Sequence, residues 1–381
     1  MKLARKRALV VMGTRPECIK LAPVINELRQ HKREFDLFVC ATAQHRELLD
    51  QVVQIYKVPV HYDLNIMSRN QTLESLTSRL LTRVSRVLKE VRPDIVLVQG
   101  DTTTAFTASL AAFYQRIPVA HVEAGLRTND PFAPFPEEIN RRLTTHVTRF
   151  HFAPTEWARR NLLAEGIADD RIFVTGNTVV DAFLNAHRLV QRRPPRIPEL
   201  DGFLKSARKV VLVTAHRREN FGAPLEQICQ ALKQLATTRD DIEIVYPVHP
   251  NPNVHGPVWK RLGSVPRIRL LRPLEYLPFV WLMGHSFLAL TDSGGIQEEM
   301  PSLKRPVLVM REKTERPEGV EAGVCQLVGT DAATICAAVT RLLDDARAYA
   351  DFGRNPSPFG DGKAAPRIVR EIASGLQAGD R

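Results

Sequence analysis

The chain has little of what specialised proteins are often built from. Its five cysteines, Cys18, Cys40, Cys229, Cys325 and Cys336, are scattered, and no two are spaced C-x-x-C. That argues against a disulfide-stapled domain and favours a reducing compartment. No apolar run approaches the roughly 18 residues of a membrane-spanning helix. The opening segment MKLARKRALVVMGTRPE is apolar only from Ala8 to Met12, too short for a signal peptide, and polar residues follow at once. The expectation is a cytoplasmic protein with no membrane partner. Metal-ligand spacing such as HExxH is missing, as is any Asp-x-Asp pair, so no metal is expected. There is no short-period repeat and no low-complexity tract.

Charge excludes less than it suggests. Lys and Arg number 53 against 42 Asp and Glu, for a net charge of +11 and a pI near 9.6. The basic residues are spread along the chain, without a long run and without the interleaved aromatics of RNA-binding sheets. Nucleic acid is therefore not the expected partner, while a basic cleft for an anionic small molecule fits the balance.

What is present is an alternation of strand and helix. Hydrophobic residues make up 44% of 381, enough for two cores rather than one. Apolar runs suited to buried parallel strands fall at 8–12, 35–41, 94–100, 118–124 and 150–155, with a further strand and turn at 171–178. Amphipathic stretches such as LAPVINELRQ and LESLTSRLLTRVSRVLKEV lie between them. The proline-rich, charged QRRPPRIPEL (191–200) reads as a semi-rigid linker. The alternation then restarts at 209–216, 242–250, 267–271, 286–295 and 306–311. The expected fold is α/β, with two Rossmann-like, doubly wound domains over 1–188 and 189–362. The segment 363–381 reads as a C-terminal helix whose pattern does not give its docking site; packing back on the N-terminal domain is the expectation.

In open α/β sheets, ligands sit beyond the carboxyl ends of the strands. The unusual residues gather there: GTRPE, GDTTT and EAGLRT in the first half, AHRREN, PVHPNP and DSGGIQEE in the second. Two half-sites facing across a cleft would make one interdomain pocket.

DSGGIQEE (292–299) is the strongest phosphate signal. Ser293 can cap a helix, and Gly294 and Gly295 let backbone N–H groups approach an anion. Glu299, one turn on, can face ribose hydroxyls or water. Arg15 and Lys20 fall in the first turns of a helix, against the dipole's preference, and such cations either face water or meet an anion. His216, Arg217 and Arg218 follow one strand and His249 another, which suits phosphate contact; strand-end histidines are otherwise structural.

Three carboxylates are candidate acids and bases. Asp101 lies just past a strand, where an N-cap is the plain alternative. Glu123 ends an apolar strand beside Gly125, where an unpaired charge is costly. Glu137 follows the stiff PFP of PFPEEINRR. There Pro136 suits the first helical turn, both glutamates complement the helix dipole, and Glu138 can pair with Arg141 or Arg142. GDGKAA (360–365) formally fits GxGxxA, but NPSPF precedes it instead of a strand, so it is not read as a nicotinamide-binding turn.

Taken in order, GTRPECIKLAPVI, AQHRELLDQV, VQGDTTT, HVEAGLRT, PFPEEINRR, GNTVVDA, AHRREN, PVHPNP, TDSGGIQEE, REKTERPEGVEAG and GDGKAAPRIV resemble the bacterial, non-hydrolysing UDP-N-acetylglucosamine 2-epimerases over nearly the whole chain. The resemblance implies the type-B glycosyltransferase architecture, UDP in the cleft, interconversion of UDP-GlcNAc and UDP-ManNAc, and a homodimer. It implies catalytic roles for Arg15, Lys20, Asp101, Glu123, Glu137 and His216. It assigns UDP binding to His249, Ser293, Gly294, Gly295, Glu299 and Arg316, and places Phe279 near the uracil. Gln44 and His45 resemble part of a second, activating UDP-GlcNAc site. The sequence departs at Asn70, where arginine occurs, at Asn129, where glycine is frequent, and in NPSPFGDGK, which is longer than usual.

The chemistry accounts for these residue types. The hydrogen on sugar carbon 2 has no adjacent carbonyl to acidify it, so a carboxylate removes it only if UDP departs from carbon 1. Elimination to 2-acetamidoglucal and re-addition of UDP needs acid and base groups, cations for the diphosphate, and no cofactor. The alternatives are a hydrolysing epimerase that releases ManNAc and UDP, a glycosyltransferase of the same fold, and a catalytically silent sugar-nucleotide sensor. The second half has no i, i+8 glutamate pair, which speaks against the glycosyltransferase.

Overall fold

The computed structural model describes residues 5–42, 46–67, 71–201 and 208–378. Two parallel sheets organise it. The first is built from β1 (Lys6–Met12), β2 (Phe35–Ala41), β3 (Tyr62–Asp63), β4 (Ile95–Gln99), β5 (Val119–Val122), β6 (Phe150–Ala153) and β7 (Ile172–Val174), in the order β3-β2-β1-β4-β5-β6-β7. The second contains β8 (Lys209–Thr214), β9 (Ile242–Pro247), β10 (Ile268–Leu271), β11 (Leu288–Thr291), β12 (Val307–Val309) and β13 (Cys325–Leu327), in the order β10-β9-β8-β11-β12-β13. Helices alternate with the strands throughout, so each sheet is doubly wound and Rossmann-like.

Burial explains why these segments are strands. Ala8 to Met12 and Ile95 to Val98 are wholly inaccessible, which a continuous apolar run allows only where both sheet faces are covered. The helices are one-sided. In the helix Leu73–Val91, Leu76, Leu80, Val84, Val87, Leu88 and Val91 are buried at three- and four-residue spacing. Two short strands, β3 and β13, were not expected, because two or three residues show no period.

The chain forms two compact units, Met1–Ala182 with Phe359–Arg381, and Phe183–Pro358. The division falls inside the helix Thr178–Arg192, ahead of the proline-rich stretch. In that stretch Pro198–Leu200 makes a 3-10 turn that buries Leu200. The last helix, Ala364–Ala378, belongs to the first unit and packs on the helix Arg15–Gln30. All five cysteines are free and buried, so their thiols behave as apolar packing groups. Among the described residues, no helix is long and apolar enough to cross a membrane.

Each sheet reverses its strand order once, beside β1 and β4 in the first unit and beside β8 and β11 in the second. Ligand sites of open sheets lie at such reversals, at the carboxyl ends of the strands. GTRPE follows β1 and GDTTT follows β4, while AHRREN follows β8 and DSGG follows β11.

Candidate active site

In the first unit the turn after β1 is built around a buried carboxylate. Thr14 caps the helix Arg15–Gln30, and Glu17 reaches back to close a capping box. Glu17 Oε2 accepts the N–H groups of Gly13 and Thr14 at 3.1 and 2.7 Å. Its Oε1 accepts the Thr102 hydroxyl at 2.8 Å, which ties GTRPE to GDTTT. Only glycine fits at position 13, because a Cβ there would stand 2.4 Å from Thr104 Oγ1.

Burial lifts the Glu17 carboxyl to about 7, outweighing the donors from Thr14, Thr102 and Gly13 that favour its charge. An unfolded glutamate ionises near its ordinary value of 4.5. Between those two values the folded chain keeps a proton that the unfolded chain releases, so rising pH removes stability there. Glu17→Gln mimics the protonated acid. Urea unfolding should show wild type losing stability relative to this variant from pH 4.5 to 7, by on the order of a few kcal/mol. A pH-independent difference would contradict the assignment.

Glu123 follows β5 directly, with φ of 65°, in the left-handed region that non-glycine residues avoid. Such a conformation costs about 1–3 kcal/mol and tends to mark functional sites. The side chain is only 4% exposed, and Lys20 Nζ donates to its two oxygens at 2.5 and 2.7 Å. Gln99 Nε2, at the end of β4, donates to Oε2, and Asn177 Nδ2 donates to Oε1 at 3.0 Å. The cation that the sequence placed against the helix dipole thus meets a carboxylate of its own chain. Neither amide stands out in the sequence, since Gln and Asn are common at strand and helix ends; their presence in the quoted VQGDTTT and GNTVVDA is the signal.

Asp101 is not the N-cap that served as its plain alternative. Thr102 takes that place, its hydroxyl accepting the Ala105 N–H at 3.0 Å. Asp101 instead pairs with Arg141, and its backbone carbonyl accepts Asn140 Nδ2 at 3.0 Å. Arg141 comes from the helix Glu137–Val147, so Asp101 and Glu137 are joined through one short helix. Pro136 stands just before that helix rather than in its first turn.

The two neighbouring glutamates differ. Glu138 is fully buried and accepts the N–H groups of Thr128 and Asn129 at 3.1 and 3.2 Å. It also pairs with Arg141 at 3.3 Å and Arg142 at 3.1 Å. Glu137 is half-buried, and its side chain makes no hydrogen bond or ion pair among the described residues. Arg15, the first residue of its helix, is also half-buried.

In the second unit the centre is Asp292, a residue passed over within DSGGIQEE. It is wholly buried, and its Oδ2 accepts the N–H groups of His216 and Arg217, each at 2.8 Å, and Asn220 Nδ2 at 3.0 Å. Burial alone would raise this carboxyl. The His216 and Arg217 donors prevail and hold it below the ordinary value. His216 Nδ1 stands 3.1 Å from Asp292 Oδ1, and the His216 ring stacks on His249 with centroids 5.5 Å apart. Burial, reinforced by His216, keeps His249 below the usual histidine range. Its Nδ1 accepts the Asn251 N–H at 3.2 Å.

Ser293 occupies the N-cap of the helix Gly294–Glu299, but its hydroxyl makes no capping bond. Cations collect at this turn. A Cβ on Gly294 would lie 3.6 Å from Arg316 Cζ and 3.8 Å from Arg217 Nη2. Arg316 Nε donates to Glu298 at 2.5 Å, and Glu315 accepts from Arg217 and Arg311 at 3.4 and 2.9 Å. Gly295 is exposed, while Glu299 and Phe279, the latter in the helix Tyr276–His285, are half-buried. Gln44 and His45 lie outside the described residues.

A family model described as UDP-N-acetylglucosamine 2-epimerase matches residues 26–373. The UDP-N-acetylglucosamine 2-epimerase of Escherichia coli (strain K12) is 54% identical over 369 residues, 96% of this chain and 98% of that protein. The crystal structure of UDP-GlcNAc 2-epimerase from Neisseria meningitidis bound to UDP-GlcNAc has a TM-score of 0.84 at 46% identity, covering 97% of this chain and 100% of that one. Methanocaldococcus jannaschii UDP-GlcNAc 2-epimerase in complex with UDP-GlcNAc and UDP has a TM-score of 0.77 at 37% identity, with 97% and 100% covered. The chain belongs to the UDP-N-acetylglucosamine 2-epimerase family.

Proposed function

We propose that the protein interconverts UDP-GlcNAc and UDP-ManNAc by eliminating UDP and adding it back, without hydrolysis and without a cofactor. The observation that carries this reading is the Glu123 carboxylate, buried, left-handed in its backbone, and held by Lys20, Gln99 and Asn177. A group in that setting is prepared for proton transfer at one place.

The C1–O bond breaks and its electron pair leaves with UDP. A carboxylate takes the hydrogen of carbon 2 as a proton, and the C–H pair becomes the C1=C2 double bond of 2-acetamidoglucal. Return of UDP with protonation on the opposite face gives the epimer. Glu123, Glu137 and Asp101 supply the acid and base groups, each worth roughly 10²–10⁴-fold. Arg15, His216, Arg316 and the DSGG turn hold the diphosphate, since donors fixed in advance stabilise a leaving anion without reorganising. His249 helps hold the nucleotide beside His216, and Glu299 and Phe279 serve the nucleoside. The reading includes a cytoplasmic homodimer.

Product analysis tests the outcome. Incubation with UDP-GlcNAc should give a mixture with UDP-ManNAc in which the sugars remain nucleotide-linked. Accumulation of free ManNAc with stoichiometric UDP would make the enzyme hydrolytic. A product that forms only with an added acceptor would make it a transferase.

A further inference from the structure

The turn after β7 does more than lead into the helix Thr178–Arg192. Asn177 is 2% exposed, and its side chain works in two directions. Its Oδ1 accepts the Val179 N–H at 3.0 Å, which leaves its amide nitrogen to face Glu123 Oε1 at 3.0 Å. Its backbone N–H donates to Phe359 O at 2.7 Å, so the turn is tied to the segment that returns from the second unit's sequence.

That tie is reinforced around it. Gly176 and Gly360 meet backbone to backbone; a Cβ on Gly176 would stand 3.1 Å from Gly360 Cα. Asp181 accepts the N–H groups of Ala364 and Ala365 at 3.2 and 2.9 Å, the unpaired donors at the start of the last helix. Arg367 donates to Thr175 O at 3.0 Å.

We infer that Asn177 is a positioning residue for Glu123, and that the returning segment Phe359–Ala365 holds Asn177 in place. The inference rests on the epimerase reading above. Lys20 brings charge, but an ammonium on a flexible stem does not fix the plane of a carboxylate. Two amides do: Asn177 on Oε1 and Gln99 on Oε2 approach separate oxygens. The left-handed backbone at Glu123 persists only where its surroundings over-determine it. Besides Lys20, the titratable groups around this cluster among the described residues include His121, two residues earlier and itself near Arg127 and Arg141, and Asp181, which holds the returning segment and which burial raises to about 6. Burial lowers His121 to about 4, so it stays neutral across the working range.

Asn177→Asp keeps the acceptor for Val179 and replaces the donor toward Glu123 with a second negative charge. The pH profile of kcat/KM for UDP-GlcNAc should then move to higher pH by roughly one unit. At pH 7, kcat should fall about tenfold or more, with KM within about threefold and the urea midpoint retained. Gln99→Glu makes the same change at the other oxygen and should move the profile the same way; it decides the matter if Asn177→Asp does not fold. Unmoved profiles in the folded variants, or a loss confined to KM, would overturn the inference while leaving the epimerase reading intact. A wild type that fails to epimerise UDP-GlcNAc would overturn both.

Discussion

Glu137→Gln is expected to lower turnover of UDP-GlcNAc about 10²–10⁴-fold while UDP affinity stays within about threefold of wild type. Glutamine keeps the shape of the side chain while replacing one acceptor oxygen with an NH2 donor and removing the charge and the proton chemistry. The adjacent Glu138 is the control. Its oxygens are occupied by the Thr128 and Asn129 N–H groups and by Arg141 and Arg142, so it holds the loop onto the helix. Glu138→Gln should unfold at lower denaturant, with turnover persisting in the folded fraction. Steady-state kinetics with UDP titration calorimetry separates the two. An inactive Glu138→Gln beside a normal Glu137→Gln would reverse the assignment.

Glu123→Gln should be as damaging to turnover and more damaging to stability. Lys20 is 17% exposed and Glu123 4%, so the pair is largely shielded from water. Removing one charge strands the other, at a cost of roughly 3 kcal/mol. Lys20→Met combined with Glu123→Gln removes the stranded charge, so urea unfolding of the double variant should recover much of the loss. Turnover should not return with it. That split between stability and activity is what a carboxylate with both roles produces. A double variant that regains turnover would mean Glu123 acts only as a structural partner for Lys20.

The sheets were legible because their strands are buried on both faces, and ALVVM or IVLVQ then reads as an unbroken apolar run. The edge strands β3 and β13 were not, being too short to carry a pattern. The positions of the site motifs followed from one rule about the carboxyl ends of strands, since every strand before a motif was itself readable. Partnerships were harder. Lys20 and Glu123 are 103 residues apart, and helical spacing arguments reach only three or four. The expected pairing of Glu138 with Arg141 or Arg142 lies within that reach, and Glu138 pairs with both. Asp101, read as a candidate acid or base, had an N-cap as its plain alternative because it precedes a helix, and the next residue, Thr102, has the capping hydroxyl. Asp292, Gln99 and Asn177 were missed because their importance lies in what folds against them.

In the proposed elimination the hydrogen of carbon 2 leaves as a proton while UDP departs. The direct measurement is NMR of UDP-GlcNAc incubated with the enzyme in deuterated water. Solvent deuterium at carbon 2 of nucleotide-linked ManNAc is the predicted result. An epimer that keeps its original hydrogen at carbon 2 would rule out proton abstraction at that carbon.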